Sequence, residues 1–225
     1  MLRTIVFDVN ETLLDLRALD PYFEQAFGDA AARAEWFARM LRTAFVSVIT
    51  DRYSDFGIIG RAALTMTAQR RGVTLSEDDA AQILDGMRRL PPHPEVPAAF
   101  ERLREAGLRL AALTNSTKEA ADAQLIHAGL FDYFDAVLSV EYAGCLKPHP
   151  AVYHMAAERL GTLPGGLRLV AAHNWDITGA MRAGWAGAFI ARPGMLLGPL
   201  DEQPDIIGPD LSAVVDRILE VERGV

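Results

Sequence analysis

The sequence predicts an α/β fold in which a parallel sheet carries helices on both faces. Short apolar runs rich in β-branched residues alternate with helical patterns from residue 98 onward, and such alternation is typical of parallel sheets. A first apolar run, residues 4–7, stands apart near the N-terminus. Residues 16–89 follow it with helical spacing of apolar side chains throughout. We therefore predict a Rossmann-like core with an α-helical cap inserted after strand 1.

A proline-dense segment, 90–97, separates the two patterns. Proline ends helices and stiffens linkers, so this segment is the predicted domain boundary. The sequence accordingly divides into a core domain, residues 1–15 and 91–225, and a helical cap domain, residues 16–90.

The individual elements follow from apolar spacing, cap residues and glycines at helix ends. A helix over 30–50 is predicted from its apolar spacing, the next ends at Gly72, and the third begins at the cap-like Ser76. The predicted strands are 4–7, 108–113, 136–139, 167–171, 186–190 and 205–207, and the predicted helices are 30–50, 56–71, 76–89, 98–106, 118–128, 150–160, a helix after 176 to about 183, and 211–222.

Composition restricts the classes of partner. The chain has 225 residues and a formal net charge of -8, without a basic run, so nucleic acid is not expected as a partner. Cys145 is the single cysteine, which suits a reducing compartment. The N-terminus lacks a signal-peptide pattern, and no uncharged apolar run approaches the ~20 residues of a membrane span. We expect a cytoplasmic protein that works without a membrane.

Polar residues follow several predicted strands at the point where each strand ends. They are Asp8, the pair Thr114 and Asn115, and the segment 173–176; Lys147 lies in a loop after another strand. The carboxyl ends of parallel strands meet at one rim of the sheet, where ligands bind. Asp8 is therefore a candidate nucleophile or metal ligand, although an aspartate there can also simply cap a turn. A neighbouring lysine would keep such an aspartate ionised.

These segments, in this order, resemble the haloacid dehalogenase superfamily, and most closely its type II (L-2-haloacid) dehalogenases. The resemblance covers nearly the whole chain, and its most specific part is Trp175-Asp176 followed by Gly179-Ala180. The matching segments are Phe7-Asp8 with Thr12-Leu13, Leu113-Thr114-Asn115-Ser116, Leu146-Lys147-Pro148 with Tyr153, and Asn174-Trp175-Asp176.

The resemblance implies a hydrolase in which Asp8 attacks the substrate carbon and forms an aspartyl ester that water then hydrolyses. It implies that Lys147 pairs with Asp8 and that Asp176 orients Lys147 and the hydrolytic water. The substrate is expected to be a small 2-substituted carboxylic acid, no cofactor is implied, and a homodimer formed through the cap is suggested. The residues expected to bind the substrate or its developing charge are Thr12, Thr114, Asn115, Asn10 and Asn174, and those expected to shape an apolar pocket are Tyr153, Phe56 and Trp175.

Three positions depart from that pattern. Asn10 and Glu11 replace the Tyr-Gly usual in dehalogenases, and Glu11 is expected to face solvent rather than to supply an acid. Phe37 follows Trp36 where type II enzymes have a halide-binding arginine, so that Arg33, Arg39 or Arg42 would have to substitute. His173 stands where an asparagine is usual; it is either a base for ester hydrolysis or a packed polar residue.

Two other functions stay open at this stage. One is a Mg²⁺-dependent phosphohydrolase of the same superfamily. Asn10 argues against it, because phosphatases have an acid at this position. The single acid in segment 173–176 also argues against it, because Mg²⁺ prefers several carboxylate oxygens. The other is a catalytically silent protein that binds a small metabolite or a partner.

Overall fold

The computed structural model describes residues 3–223, and its secondary structure agrees with the predicted order of elements. Most bounds differ from the predicted ones by no more than two residues. The strands are β1 (Thr4–Phe7), β2 (Leu110–Thr114), β3 (Ala136–Ser139), β4 (Leu167–Ala171), β5 (Ala186–Ile190) and β6 (Ile206–Gly208), and the helices are α1 (Asp20–Phe27), α2 (Ala32–Ile49), α3 (Phe56–Arg71), α4 (Glu77–Gly86), α5 (Val96–Glu105), α6 (Lys118–His127), α7 (Pro150–Leu160), α8 (Asn174–Arg182) and α9 (Leu211–Arg223).

The larger differences have local causes. Helix α5 begins at Val96 instead of residue 98, because Pro97 lies in the first turn, where its missing N–H costs nothing. Helix α4 ends at Gly86, and the predicted continuation to Arg89 is a 3₁₀ turn. Helix α1 was not predicted as a separate element.

The six strands form one parallel sheet in the order β3-β2-β1-β4-β5-β6. Strand β1 is central, because Val6 is aligned with Ala111 of β2 on one side and with Leu169 of β4 on the other. The chain moves from β1 outward to β3 and then returns to the opposite side of β1 at β4. This reversal makes the carboxyl ends of β1 and β4 the expected location of a ligand.

Helices cover both faces of the sheet. Successive side chains of a strand point to opposite faces, and Ile5, Val6 and Phe7 are all fully buried. Strand β4 shows the same continuous burial. The sheet therefore has no solvent-exposed face near its centre, which confirms the predicted fold class.

The segment between β1 and α5 is helical and contains α1 to α4. Local sequence explains its elements: Asp55 accepts hydrogen bonds from the amides of Gly57 and Ile58 at the start of α3, and Ser76 accepts one from Asp79 at the start of α4. Residues 16–90 are called the helical insertion below. Its status as a separate domain stays a prediction. In residues 3–223 no helix is long and apolar enough to cross a membrane.

Candidate active site

The site lies at the carboxyl ends of β1, β2 and β4, as the topology requires. Asp8 directly follows β1, Thr114 ends β2, and His173 follows β4 by two residues. Lys147 reaches the same place from the loop before α7, with its backbone amide hydrogen-bonded to the Asn115 side chain at 2.9 Å. The structure thus brings together the residues that sequence reasoning placed at one rim.

Lys147 lies between two carboxylates. Its Nζ donates to Asp8 Oδ1 at 2.8 Å, to Asp176 Oδ2 at 2.6 Å and to the Leu113 carbonyl at 2.9 Å. These three acceptors use all three donors of the ammonium group. Lys147 and Asp176 are fully buried, and Asp8 is 5% exposed. A lysine is buried so completely only when its charge is paired, and here it is paired twice.

The electrostatics keep Asp8 ionised. Burial by itself would raise the pKa of Asp8, but the Lys147 ammonium and the His173 ring outweigh it, and the pKa of this carboxyl lies well below its ordinary value. Burial likewise opposes the charge of Lys147, whose pKa the carboxylates of Asp176 and Asp8 nevertheless raise. Asp8 is therefore a carboxylate at neutral pH, as a nucleophile must be.

Tyr153 supports Asp176 from behind. Its hydroxyl donates to Asp176 Oδ1 at 2.6 Å, and the side chain is fully buried. Burial, followed by the charge of Asp176, raises the pKa of the Tyr153 hydroxyl, which keeps it a donor. This contact requires a glycine nearby, since a Cβ at Gly179 would lie 2.5 Å from the Tyr153 hydroxyl oxygen. Tyr153 thus orients an acid, whereas the sequence had suggested a wall of an apolar pocket.

The second oxygen of Asp8 has different partners. Thr12 Oγ1 donates to Asp8 Oδ2 at 2.7 Å and accepts from the amide of Ala172 at 2.9 Å. His173 Nδ1 lies 3.0 Å from the same Asp8 oxygen, and His173 Nε2 lies 2.9 Å from Glu11 Oε2. Burial would lower the pKa of His173, but hydrogen bonds to Asp8 and Glu11 outweigh it and raise this pKa to about 10. His173 is therefore an imidazolium at neutral pH.

The expectation that Glu11 points away from the site into solvent was wrong, because its carboxylate contacts His173. Its side chain is only 16% exposed and points at His173. The reason is its backbone, which has a φ of 60° in the left-handed region that non-glycine residues seldom adopt. This turn directs the carboxylate back toward His173. Residues 8–15, which follow β1, are called the nucleophile loop below. On its outer side Glu11 lines a cleft of about 320 Å³ together with Arg33, His93 and Arg192.

Aromatic side chains cover His173. Phe37 of the helical insertion stacks on one side at 6.2 Å between ring centroids, and Trp175 stacks at 5.0 Å. Phe45 meets the Trp175 ring edge-on at 5.4 Å. Aromatic faces are electron-rich and attract a cation, so this arrangement suits a charged imidazole.

A buried polar network surrounds Asn10. The Gln124 amide donates to Asn10 Oδ1 at 3.0 Å, and Asn10 Nδ2 donates to Ser116 Oγ at 3.4 Å. Ser116 and Gln124 also line a cavity of about 570 Å³ that reaches Phe56 between the insertion and the core. Asn10 is therefore hydrogen-bonded to two residues that border this cavity.

Two other predicted residues are engaged locally. Thr114 Oγ1 accepts the amide of Ser116 at 3.1 Å, which shapes the turn after β2. Asn174 Nδ2 donates to Asp201 Oδ2 at 2.8 Å, and this bond ties the start of α8 to the segment 192–209.

A family model supports the relationship that this geometry indicates. The model, described as "Hydrolase: haloacid dehalogenase-like hydrolase", matches residues 2–172, which is more than half of the chain. The protein belongs to this family.

Individual relatives agree with that membership. The (S)-2-haloacid dehalogenase of Pseudomonas sp. (strain YL) is 31% identical over 96% of this chain and 94% of that protein. The haloacetate dehalogenase H-2 of Moraxella sp. (strain B) is 28% identical over 96% of this chain and 98% of that protein. Among solved structures, the L-2-haloacid dehalogenase of Xanthobacter autotrophicus with chloropropionic acid covalently bound is similar, with a TM-score of 0.90, 27% identity and full coverage of both chains.

Within this haloacid dehalogenase-like hydrolase, the arginines expected to substitute for the missing cap arginine are engaged elsewhere or lie apart. Arg33 Nε binds Asp20 at 2.5 Å, and Arg39 binds Glu35 at 2.9 Å. Arg42 lines a different surface cavity with Arg39 and Arg70. The charged residue that the α2 side chain Phe37 contacts is His173.

The donor set fits an ammonium group and not a divalent metal ion. The space between the carboxylates of Asp8 and Asp176 is occupied by Lys147 Nζ, which pairs with both of them. Among residues 3–223, no three His, Cys, Asp or Glu side chains are grouped so as to hold a metal. The cation of this site is supplied by the chain itself.

Sequence reasoning missed Arg192, which holds the nucleophile loop in place. Its Nε and Nη2 donate to the Thr12 carbonyl at 2.9 and 2.7 Å, and its Nη1 pairs with Glu95 at 3.0 Å. Arg192 follows β5 by two residues, so the strand-end rule that identified Asp8 would have found it if applied to β5. Ser116 and Gln124 gave no comparable signal, because a turn and a helix face are common places for them.

Proposed function

We propose that this protein is a 2-haloacid dehalogenase that hydrolyses the carbon–halogen bond of a small (S)-2-haloacid through an ester on Asp8. The observation that carries the proposal is the ionised Asp8 bound to a buried Lys147, in a fold whose relative holds chloropropionic acid covalently. In the first step an Asp8 oxygen attacks C2 of the substrate. The C–halogen bond breaks, and its electron pair leaves with the halide.

In the second step water attacks the carbonyl carbon of the Asp8 ester. The bond between that carbon and the ester oxygen breaks, so the 2-hydroxy acid departs and the Asp8 carboxylate returns. We assign to Lys147 the stabilisation of negative charge on Asp8 and to Asp176 the positioning of Lys147, to which it is bound at 2.6 Å. Thr12, Thr114 and Asn115 are proposed to bind the substrate carboxylate or the charge that develops during the reaction. No metal or cofactor enters either step.

The helical insertion is proposed to act as a cap that moves to admit substrate. Asp8 is only 5% exposed, and Phe37 of the insertion contacts His173 beside it. A substrate therefore reaches Asp8 only after these elements separate. The cavity of about 570 Å³ beside Phe56 and Ser116 lies on the proposed path, between the insertion and the core.

We further propose that the protein acts in the cytoplasm on small molecules, without nucleic acid or membrane partners, and forms a homodimer. The net charge of -8 supports the absence of nucleic acid. The exposed apolar side chains Val46, Ile49 and Ile58 on α2 and α3 support a contact between two copies through the insertion.

Halide release from (S)- and (R)-2-chloropropionate in EDTA tests the activity. We expect release from the (S) substrate by the unaltered protein and by Asp132→Asn, a control at an exposed aspartate, and none from Asp8→Asn. Intact-mass measurement should detect the ester in the unaltered protein only. The absence of halide release, together with Mg²⁺-dependent phosphate release from phosphate esters, would replace the proposal by a phosphohydrolase.

A further inference from the structure

His173 connects the nucleophile to a second carboxylate. Its Nδ1 lies 3.0 Å from Asp8 Oδ2, and its Nε2 lies 2.9 Å from Glu11 Oε2. Each ring nitrogen thus has its own acceptor, and the ring is buried. Phe37 and Trp175 stack against it at interplanar angles of 29° and 25°. The ring plane is therefore fixed, with Nδ1 directed at the reacting carboxyl group.

This arrangement resembles the acid–imidazole pair that activates nucleophiles in hydrolases, where a carboxylate on one ring nitrogen fixes the tautomer and leaves the other nitrogen as the base. Here Glu11 occupies the position of the orienting acid. The groups that contact His173 are the carboxylates of Asp8 and Glu11 and the rings of Phe37 and Trp175.

We propose that His173, oriented by Glu11, is the general base that activates water for hydrolysis of the Asp8 ester. This inference rests on the proposed function, because it requires that ester to form. It makes His173 a catalytic residue and Glu11 a positioning residue. The change of charge on Asp8 during the reaction is what switches the role of the ring.

The proton balance follows from the two steps. In the resting enzyme the imidazolium donates Nδ1–H to the Asp8 carboxylate. When Asp8 is alkylated, its negative charge disappears, so the Nδ1 proton loses its ionic acceptor and is released to solvent. Glu11 retains Nε2–H, and the free Nδ1 then faces the ester as a base.

Hydrolysis restores the starting state. Nδ1 takes a proton from the attacking water, and the tetrahedral intermediate forms. That proton passes to the departing alkoxide oxygen, which gives the 2-hydroxy acid and a protonated Asp8. The Asp8 proton then returns to Nδ1, which regenerates imidazolium and carboxylate. One proton is released per turnover, as the overall reaction of haloacid and water to hydroxy acid, halide and proton requires.

Asp176 is less suited to act as this base. Its Oδ2 accepts from Lys147 at 2.6 Å and its Oδ1 accepts from Tyr153 at 2.6 Å, so both oxygens are engaged. Glu11, in contrast, borders an open cleft of about 320 Å³. Protons released at the His173 end of the site thus have a short route to solvent.

Rapid-quench kinetics with intact-mass detection test the role of His173. We compare the unaltered protein with His173→Gln, Glu11→Gln and the control His154→Gln, which changes an exposed histidine on α7. Glutamine is used because asparagine is the usual residue of the family at position 173. With (S)-2-chloropropionate, His173→Gln should release one equivalent of halide per site in a burst and then turn over ~10²–10⁴-fold more slowly, the usual loss on removing a general base. The ester should accumulate on Asp8 in this variant and not in the control.

Glu11→Gln gives a readout that a purely structural role would not change. It should accumulate the ester to a smaller extent and shift the acidic limb of the hydrolysis rate to lower pH, because the ring loses a negative neighbour. If His173→Gln does not fold, as circular dichroism would show, Glu11→Gln alone decides the question in the same assay.

The outcomes are distinguishable. If the unaltered protein releases halide and neither variant accumulates ester, or if alkylation is the slowed step, the role of His173 is overturned while the proposed function stands. If the unaltered protein releases no halide from any 2-haloacid, the proposed function is wrong and this inference falls with it.

Discussion

The two oxygens of Asp8 have contrasting surroundings. Oδ1 meets Lys147, which in turn is held by Asp176, a fully buried residue of the core. Oδ2 contacts Thr12 and His173, and His173 in turn contacts Glu11, which borders an open cleft. Phe37 of the helical insertion stacks on the His173 ring. The Lys147 side contains the residues by which the chain resembles its family. The His173 side combines one such residue, Thr12, with departures from the family pattern, namely Glu11, His173 and Phe37.

The difference shows how one nucleophile can serve two steps. Lys147, a permanent cation whose three N–H donors are all used, stabilises the carboxylate throughout. His173, a titratable cation, can give up its proton when the carboxylate is esterified. The two sides should therefore respond differently to mutation and to pH.

Removal of Lys147 should have the largest effect. Lys147→Ala leaves the carboxylates of Asp8 and Asp176 buried without their common partner, and breaking such a buried pair costs about 3–5 kcal/mol. We expect halide release to be abolished and the free energy of unfolding in urea to fall by that amount.

Lys118→Ala is the matched control, since Lys118 is the other lysine of the chain and pairs with Asp122 near the surface at the start of α6. It should change the free energy of unfolding by less than about 1 kcal/mol. Equal losses in the two variants would contradict the central place given to Lys147.

A smaller effect is expected at the outer support of Asp176. In Gly179→Ala the new methyl group would lie 2.5 Å from the Tyr153 hydroxyl and 2.7 Å from Pro148 Cβ, so both must shift. Such overpacking costs about 1–3 kcal/mol, and kcat should fall because Tyr153 no longer positions Asp176.

Gly165→Ala serves as the control, because a Cβ there meets no atom within 4 Å. If urea unfolding and halide release were the same in the two alanine variants, the close contact at Gly179 would matter neither for stability nor for catalysis.

The effect most specific to the His173 side is a pH dependence of stability, which is gradual and not a single loss. Burial would lower the folded-state pKa of His173, but its bonds to Asp8 and Glu11 outweigh burial and raise this pKa from 6.5 to about 10. A raised pKa stabilises the fold fully below pH 6.5, and this contribution is lost as pH rises toward 10. The loss amounts to at most about 1.4 kcal/mol per pH unit.

Urea unfolding at pH 7, 8 and 9 measures this slope. The difference in unfolding free energy between the unaltered protein and His173→Asn should shrink across the series, since the remaining titrating groups are shared. A constant difference would mean that His173 is neutral in the folded protein. Asp8 predicts the opposite window, because its lowered pKa gives stability that is lost only in acid, as pH falls below 3.8.

Sequence reasoning reached the sheet and the Lys147 side of the site for physical reasons. Strands such as 167–171 are continuous apolar runs that leave little ambiguity, and the topology rule sends Asp8, Lys147 and Asp176 to one rim. The contact of Lys147 with both acids then follows, because buried charges have to be paired.

The His173 side was not predictable in the same way. The direction of the Glu11 side chain depends on a left-handed backbone conformation, which a glutamate in the sequence does not predict. The hydroxyl contact of Tyr153 depends on a close approach at Gly179, which is visible only in three dimensions. The structure also shows that Arg33 and Arg39 of α2 are ion-paired with Asp20 and Glu35, which helical spacing alone could not reveal.

The full burial of Lys147 has a practical consequence for chemical labelling. Of the two side-chain amines in this protein, only that of Lys118, with a side chain 38% exposed, is accessible to a reagent in the folded state. An amine-reactive fluorophore or a solid support would therefore couple to one side chain, at the first turn of α6, and leave the amine beside Asp8 unmodified. A second side-chain label on a molecule would then show that Lys147 had become exposed in that molecule, and no substrate is needed to detect this opening.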